Sequence, residues 1–322
     1  MITLRSASLS AQVLPFGATL AGLWYNGHPH SLVIGSTDAD AYAEKLRYFG
    51  ALIGPIANRI SGATLCIDSA TCKMEPNEGS SCLHSGADGL HARDWTVVRQ
   101  SPSAVSLRCF LRDGANGLPG NRTVNVDYSL TDAGHLILEM TASSDRTTAI
   151  NLAHHPYWNL GNCETVKDHR LTIYADKYLP VDAHTLPTGE ISPVSGTAYD
   201  FQTGRLVPTD QTLDANLCLA ETRRDHPTPA ARLSGPSGLM LQIDTTEPGL
   251  QVYNGSGLND IKNSLHDQRV LQPFSGIALE PQAWPDAPRH SAFPSIILRV
   301  GETYRQKTTY RIWDELNQIA TV

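Results

Sequence analysis

The strongest constraint on this chain is an alternation of apolar and polar residues that returns from one end to the other. It runs through Leu9, Ala11 and Val13, then Val105, Leu107, Cys109 and Leu111, then Val124, Val126, Tyr128 and Leu130, then Leu136, Leu138 and Met140. A spacing of two puts every second side chain on one face of an extended backbone. Each segment therefore predicts a strand with one face against a core. Asp132-Ala133-Gly134, between the last two, predicts a hairpin connection. Near the end, Ile296, Leu298 and Val300 lead through Gly301-Glu302 into Thr308, Tyr310 and Ile312, which predicts two further strands. The best helix candidate, Asp38 to Tyr48, is short, and the stretch Glu221 to Pro236 reads as a surface loop.

Composition agrees with this pattern. Gly and Pro together number 45, and only 6 of the 25 basic residues are Lys, so long Lys/Glu-rich helices are not expected. With 41% hydrophobic and 18% charged residues the chain is globular. Its 322 residues are long enough for about two domains, but large all-β folds exceed 200 residues as one unit. The economical expectation is a single all-β domain over residues 1–322, a large antiparallel β-sandwich of two broad sheets face to face. A net charge of −7 argues against a nucleic-acid partner. No apolar run approaches the roughly 20 residues that span a bilayer, so no membrane partner is expected. The opening residues alternate like a strand and lack the basic and apolar blocks of a secretory signal. Cys66, Cys72, Cys82, Cys109, Cys163 and Cys218 form no Cys-x-x-Cys pair and fit no zinc template. A cytoplasmic protein with reduced thiols and no metal is the expectation.

Four segments carry polar groups that a plain core strand does not need. Gly54 to Gly62 holds Asn58 and Arg59 between glycines; the Arg fork suits hydroxyl oxygens or a carboxylate. Asn77 to Gly86 holds His84 beside a flexible Ser-Gly. Asn151 to Gly161 packs two His, a Tyr, a Trp and two Asn into a few residues, a mixture suited to a sugar, whose C–H faces stack on rings while its hydroxyls need partners. Neighbours on a strand point to opposite faces, so His154 and His155 are not expected to share a metal. Gly276 to Ala287 places Glu280 against an apolar run, a costly site for a carboxylate unless it is paired or used.

Together and in this order, the segments resemble the aldose 1-epimerase family, the galactose mutarotases. The resemblance rests on Asn58-Arg59-Ile60, on Leu83-His84 with Gly86, and on His155-Pro156-Tyr157-Trp158-Asn159-Leu160. It continues through Tyr178-Leu179-Pro180-Val181-Asp182, Leu186-Pro187-Thr188-Gly189 and Pro248-Gly249-Leu250-Gln251-Val252-Tyr253. It ends with Leu279-Glu280-Pro281-Gln282 and Pro285-Asp286-Ala287. Four departures stand out. Pro55 stands where the family often has Arg, Ser85 replaces a glycine of its Leu-His-Gly-Gly, His154 replaces a common Asn, and Leu213-Asp214-Ala215-Asn216 stands for its Tyr-Asp-His-Asn.

The resemblance implies a galactose mutarotase-like supersandwich and cofactor-free interconversion of the α and β anomers of a free monosaccharide, by a monomer or homodimer. It implies Glu280 as general base at O1, His155 as general acid at the ring oxygen and His84 as its assistant. It further implies Arg59, Asn58, Asp214 and Gln251 as hydroxyl binders. A glycosidase would need two facing carboxylates, whereas the residues given catalytic roles by the resemblance are one carboxylate and two imidazoles. Two alternatives share the fold: a hexose-6-phosphate epimerase, which needs cations such as Arg93 or Arg289 near the sugar's C6, and a non-catalytic carbohydrate-binding module.

Overall fold

A computed structural model describes residues 1–161, 163–259, 266 and 270–315. The alternating segments are strands of one nine-stranded antiparallel sheet. From edge to edge its strands are Arg205–Leu206, Arg170–Ile173, Thr228–Ser234, Leu239–Thr245, Tyr304–Asp314, His135–Ser144, Arg122–Leu130, Ala104–Leu111 and Thr96–Gln100. Arg122–Leu130 shows why: Val124, Val126, Tyr128 and Leu130 are buried while the residues between them are not. The hairpin expected at Asp132 to Gly134 joins this strand to His135–Ser144, with Leu130 opposite Leu136.

A second antiparallel sheet has six strands, in the order Tyr157–Trp158, Ile277–Gln282, Gly249–Tyr253, Asp214–Cys218, Lys177–Tyr178 and Ser192–Pro193. Its Leu217, Leu250, Val252, Ile277 and Leu279 join one core with Leu107, Val126, Leu138, Leu241 and Ile312 of the large sheet. Leu4, Leu9, Ala11 and Leu23 of a three-stranded sheet, Ile2–Arg5, Leu9–Leu14 and Thr19–Tyr25, join the same core. Two sheets sharing a buried layer make a sandwich, in line with the all-β expectation.

Period two then dictates the opposite face of the six-stranded sheet. Since Leu279, Leu250 and Leu217 point into the core, Glu280, Gln251 and Asn216, which lie opposite one another in register, point away from it. That outer face is not left to water. Ile56, Ile60, Trp284 and Phe293 cover one part of it, and Tyr42, Leu46 and Phe49 cluster with its own Tyr157 and Ala278 over another. A polar stripe is thus enclosed between two apolar patches.

Two expectations are corrected, at Asp38 to Tyr48 and at Glu221 to Pro236, and the strands read at Ile297–Leu298 and Tyr304–Asp314 are present but not paired with each other. Asp38 to Tyr48 holds only a 3-10 turn, Asp40–Ala43, with no side-chain cap; a run this short has too few turns to offset helix nucleation. Ile297–Leu298 does not pair with the strand that follows it. It pairs with Thr148–Ala149, because Tyr304–Asp314 is already bonded on both sides by His135–Ser144 and Leu239–Thr245. The second half of Glu221 to Pro236 is the strand Thr228–Ser234, whose alternation is interrupted by a register shift between Pro229 and Ala231. The single-domain expectation over residues 1–322 also spans residues 162, 260–265, 267–269 and 316–322, which lie outside the described residues.

Candidate active site

The enclosed stripe opens into a cavity of about 220 Å³ lined by Tyr48, Asn58, Arg59, Leu83, His84, His155, Tyr157, Asp214, Gln251, Tyr253 and Glu280. All seven residues singled out in the sequence therefore meet at one place. Asp214, Gln251 and Glu280 come from adjacent strands of the six-stranded sheet. His155 comes from the turn ahead of the edge strand Tyr157–Trp158. Its backbone is fastened to the segment before the Asn-Arg pair: Gly50 N–H donates to the His155 carbonyl at 2.9 Å, and His155 N–H to the Ala51 carbonyl at 3.1 Å. Gly50 is required there, because its φ is +68° and a Cβ would sit 2.1 Å from the Leu20 carbonyl oxygen.

Asn58, Arg59 and His84 arrive together because Arg59–Ile60 pairs with Cys82–Leu83. Asn58 N–H donates to His84 Nδ1 at 3.1 Å, and His84 N–H donates to the Asn58 carbonyl at 3.0 Å. With Nδ1 occupied as an acceptor, the neutral ring carries its proton on Nε2. Burial, with His155, His91 and Arg59 close by, holds His84 well below the usual histidine range, so it is a neutral donor.

Glu280 and His155 are almost fully buried and face each other, with Oε1 3.5 Å from Nε2. Burial raises the carboxyl well above its ordinary range, reinforced by Asp214 and opposed by Arg59. Burial likewise pushes His155 down to about 4. Both directions favour one arrangement, a protonated carboxyl beside a neutral imidazole. The ion pair of Glu280 carboxylate and His155 imidazolium holds the same single proton and differs only by its transfer across the 3.5 Å gap. Glu280 Oε2 and Gln251 Oε1 are buried and accept no hydrogen bond from the described residues.

The opposite wall is a charge-balanced clamp. Arg59 grips Glu78 through Nε and Nη2, the latter at 2.9 Å, and places Nη1 3.5 Å from Asp214 Oδ2. Gln251 Nε2 donates to Asp214 Oδ1. Burial raises the Asp214 carboxyl, with Arg59 and Gln251 pulling it back. His154 points the other way, as strand geometry requires, with Nδ1 3.1 Å from the Tyr310 hydroxyl in the core. Among the described residues no group of three or more His, Cys, Asp and Glu is arranged to hold a metal ion. Arg93 is paired with Asp88 and Arg289 bonds Ser61 and Thr64, so neither lines the cavity.

Sequence reasoning missed Tyr48 and Glu78 as parts of the site. The Tyr48 ring meets His84 edge-on at 4.8 Å and His91 at 4.9 Å, and lies nearly parallel to His155 at 6.3 Å. No local signal marks Tyr48, which ends the segment read as a helix. Glu78 stands beside Asn77 in a segment already singled out, and an acidic partner for Arg59 was the available clue. The arrangement as a whole can take a proton from one hydroxyl oxygen of a small polar molecule and give one to another.

A family model described as Aldose 1-epimerase matches residues 1–311. The chain is 35% identical to the galactose mutarotase of Homo sapiens, over 96% of this chain and 92% of that protein. It is 31% identical to the aldose 1-epimerase of Escherichia coli K12, over 97% and 94%. The crystal structure of a GalM/aldose epimerase homologue from C. elegans superposes with a TM-score of 0.91 at 33% identity, covering 97% of this chain and 98% of that one.

Proposed function

The chain belongs to the aldose 1-epimerase family, and from that membership we propose how its pocket carries out the family's isomerisation of free sugars. The protein is an isomerase that interconverts the α and β anomers of an aldose. The reaction removes the proton on O1 and delivers one to the ring oxygen. The aldehyde then turns about C1–C2 and closes on its other face. Glu280 takes the O1 proton, and His155 protonates the ring oxygen. The sugar's hydroxyl against the carboxylate and its ring oxygen against the imidazolium stabilise the ion-paired form of this couple. When the ring has opened, Glu280 is the acid and His155 the base, poised for closure. No net proton leaves the pair, so each turnover ends where it began. His84 adds its Nε2–H at the ring oxygen.

Arg59, Asp214 and Gln251, with Asn58 beside them, hold the remaining hydroxyls and fix the ring against the couple. Arg59 is already neutralised by Glu78 and Asp214, so this wall suits a neutral sugar better than a phosphorylated one. A volume of about 220 Å³ is the share of roughly seven waters at about 30 Å³ each, and it lies below the roughly 300–1,000 Å³ of drug-sized sites. One monosaccharide fits that size. The buried thiols of Cys82 and Cys109, pushed up to about 11, and of Cys218, pushed up to about 12, act as packed hydrophobes outside the chemistry of the site.

The observation that carries this reading is the Glu280–His155 contact at 3.5 Å inside a cavity of monosaccharide size. Polarimetry of freshly dissolved α-galactose, α-glucose and L-arabinose tests it. Faster loss of excess rotation for at least one neutral sugar, with no inhibition by glucose 6-phosphate, is the expected result. Strong competition by the phosphate ester would favour the phosphorylated substrate, and sugar binding without anomer exchange would favour a binding module.

A further inference from the structure

His84, Ser85 and Gly86 form a run of three left-handed residues, with φ of 53°, 66° and 78°. Glycine takes such a conformation freely; His and Ser do so only when their surroundings hold them there. The Ser85 hydroxyl supplies that hold. It accepts the Ile56 N–H at 2.8 Å and donates to the Ile56 carbonyl at 3.0 Å, both in the buried interior. One hydroxyl thus closes both polar groups of a residue that stands two places before Asn58. From outside, Asn116 Nδ2 donates to the Ser85 carbonyl at 3.1 Å and to the Asp88 carbonyl at 2.9 Å.

We propose that Ser85 is a positioning residue that fixes the orientation and tautomer of His84. The link is short. The Arg59–Ile60 and Cys82–Leu83 pair holds one side of the His84 turn, and the two Ser85–Ile56 bonds hold its other side against the Ile56–Asn58 segment. Held on both sides, the turn lets the Asn58 N–H reach His84 Nδ1 and the His84 N–H reach the Asn58 carbonyl. If the segments drift apart, Nδ1 loses its donor, the proton is free to sit on either nitrogen, and Nε2–H no longer points reliably into the cavity. Two of this chain's departures from the family pattern meet in this contact. Ser85 stands in place of a glycine, and its hydroxyl bonds the residue directly after Pro55, itself in place of an arginine. The role of His84 at the ring oxygen is the reading this inference rests on.

The test compares Ser85→Ala and Ser85→Gly with the unaltered protein. Ser85→Gly relieves the left-handed backbone and keeps the fold accessible, while both variants remove the hydroxyl. Nitrogen–proton correlation NMR of the imidazoles reports the His84 tautomer, and anomer exchange gives kcat and KM. The unaltered protein is expected to show His84 protonated on Nε2 alone. Both variants are expected to show exchange between two tautomers and a kcat about ten-fold lower or less, with KM changed far less, as a displaced catalytic group produces. An unaltered tautomer in both variants overturns the inference, whatever happens to thermal stability or rate. So does an altered tautomer with full kcat, provided His84→Asn is slow. If His84→Asn itself keeps the full rate, the role given to His84 fails, and the tautomer alone still judges the Ser85 clasp.

Discussion

A buried carboxyl and a buried imidazole, each costly alone, make sense as a couple that shares one proton. This has a consequence for pH. An isolated histidine would lose its acid form near 6.5. Here burial lowers His155 to about 4 and raises Glu280, so a second proton joins the couple only well below pH 6.5, and the first leaves only above the ordinary carboxylate range. The profile of kcat/KM, which follows the free enzyme, should not fall as the pH is lowered from 7 to 5. A limb centred near 6.5 would show an ordinary histidine in control. These residues were legible in the sequence because each was a polar group in an apolar setting: Glu280 beside a buried run, two His beside Tyr and Trp, an Asn-Arg pair between glycines. Tyr48 was not legible. Its place between three imidazoles depends on the chain doubling back over the sheet, which no local pattern records.

At the scale of elements, one strand of the large sheet braces both halves of the couple. The Tyr304 hydroxyl accepts Leu152 N–H at 3.2 Å and donates to Gln306 Oε1, while Gln306 Nε2 donates to the Pro281 carbonyl at 3.0 Å. Leu152 leads into His155, and Pro281 follows Glu280. Tyr304→Phe keeps the ring and removes the hydroxyl, leaving buried partners unsatisfied at a cost of about 1–3 kcal/mol. A lower unfolding midpoint together with a several-fold fall in kcat is expected; an unchanged kcat would confine the brace to stability. The strands themselves were readable wherever one face was buried and the other was not, as in Arg122–Leu130. The pairing of Ile297–Leu298 and the strand Thr228–Ser234 were not legible, for different reasons. Pairing partners of two-residue strands are set by distant segments, and a bulge at Pro229 breaks the period that reveals a strand.

For the whole molecule, the same sheet serves two purposes on its two faces. Leu279 lies in the shared core and Glu280, its neighbour, lies in the cavity. Leu279→Ala should cost about 2–5 kcal/mol, and on the single-domain reading it should shift one cooperative unfolding transition seen alike by fluorescence and circular dichroism. Two separated transitions would speak for two domains. The sandwich was legible as a class, but the meeting of residues 59, 84, 155, 214, 251 and 280 was not readable from spacing; it follows from how the outer face of the six-stranded sheet is covered. The most direct measurement is magnetisation-exchange NMR between the α and β signals of a sugar that the enzyme turns over, with Glu280→Gln and His155→Asn each compared with the unaltered protein. Each variant is predicted to lose about 10²–10⁴-fold in exchange rate while keeping its unfolding transition; full exchange in either folded variant would contradict the proton shuttle.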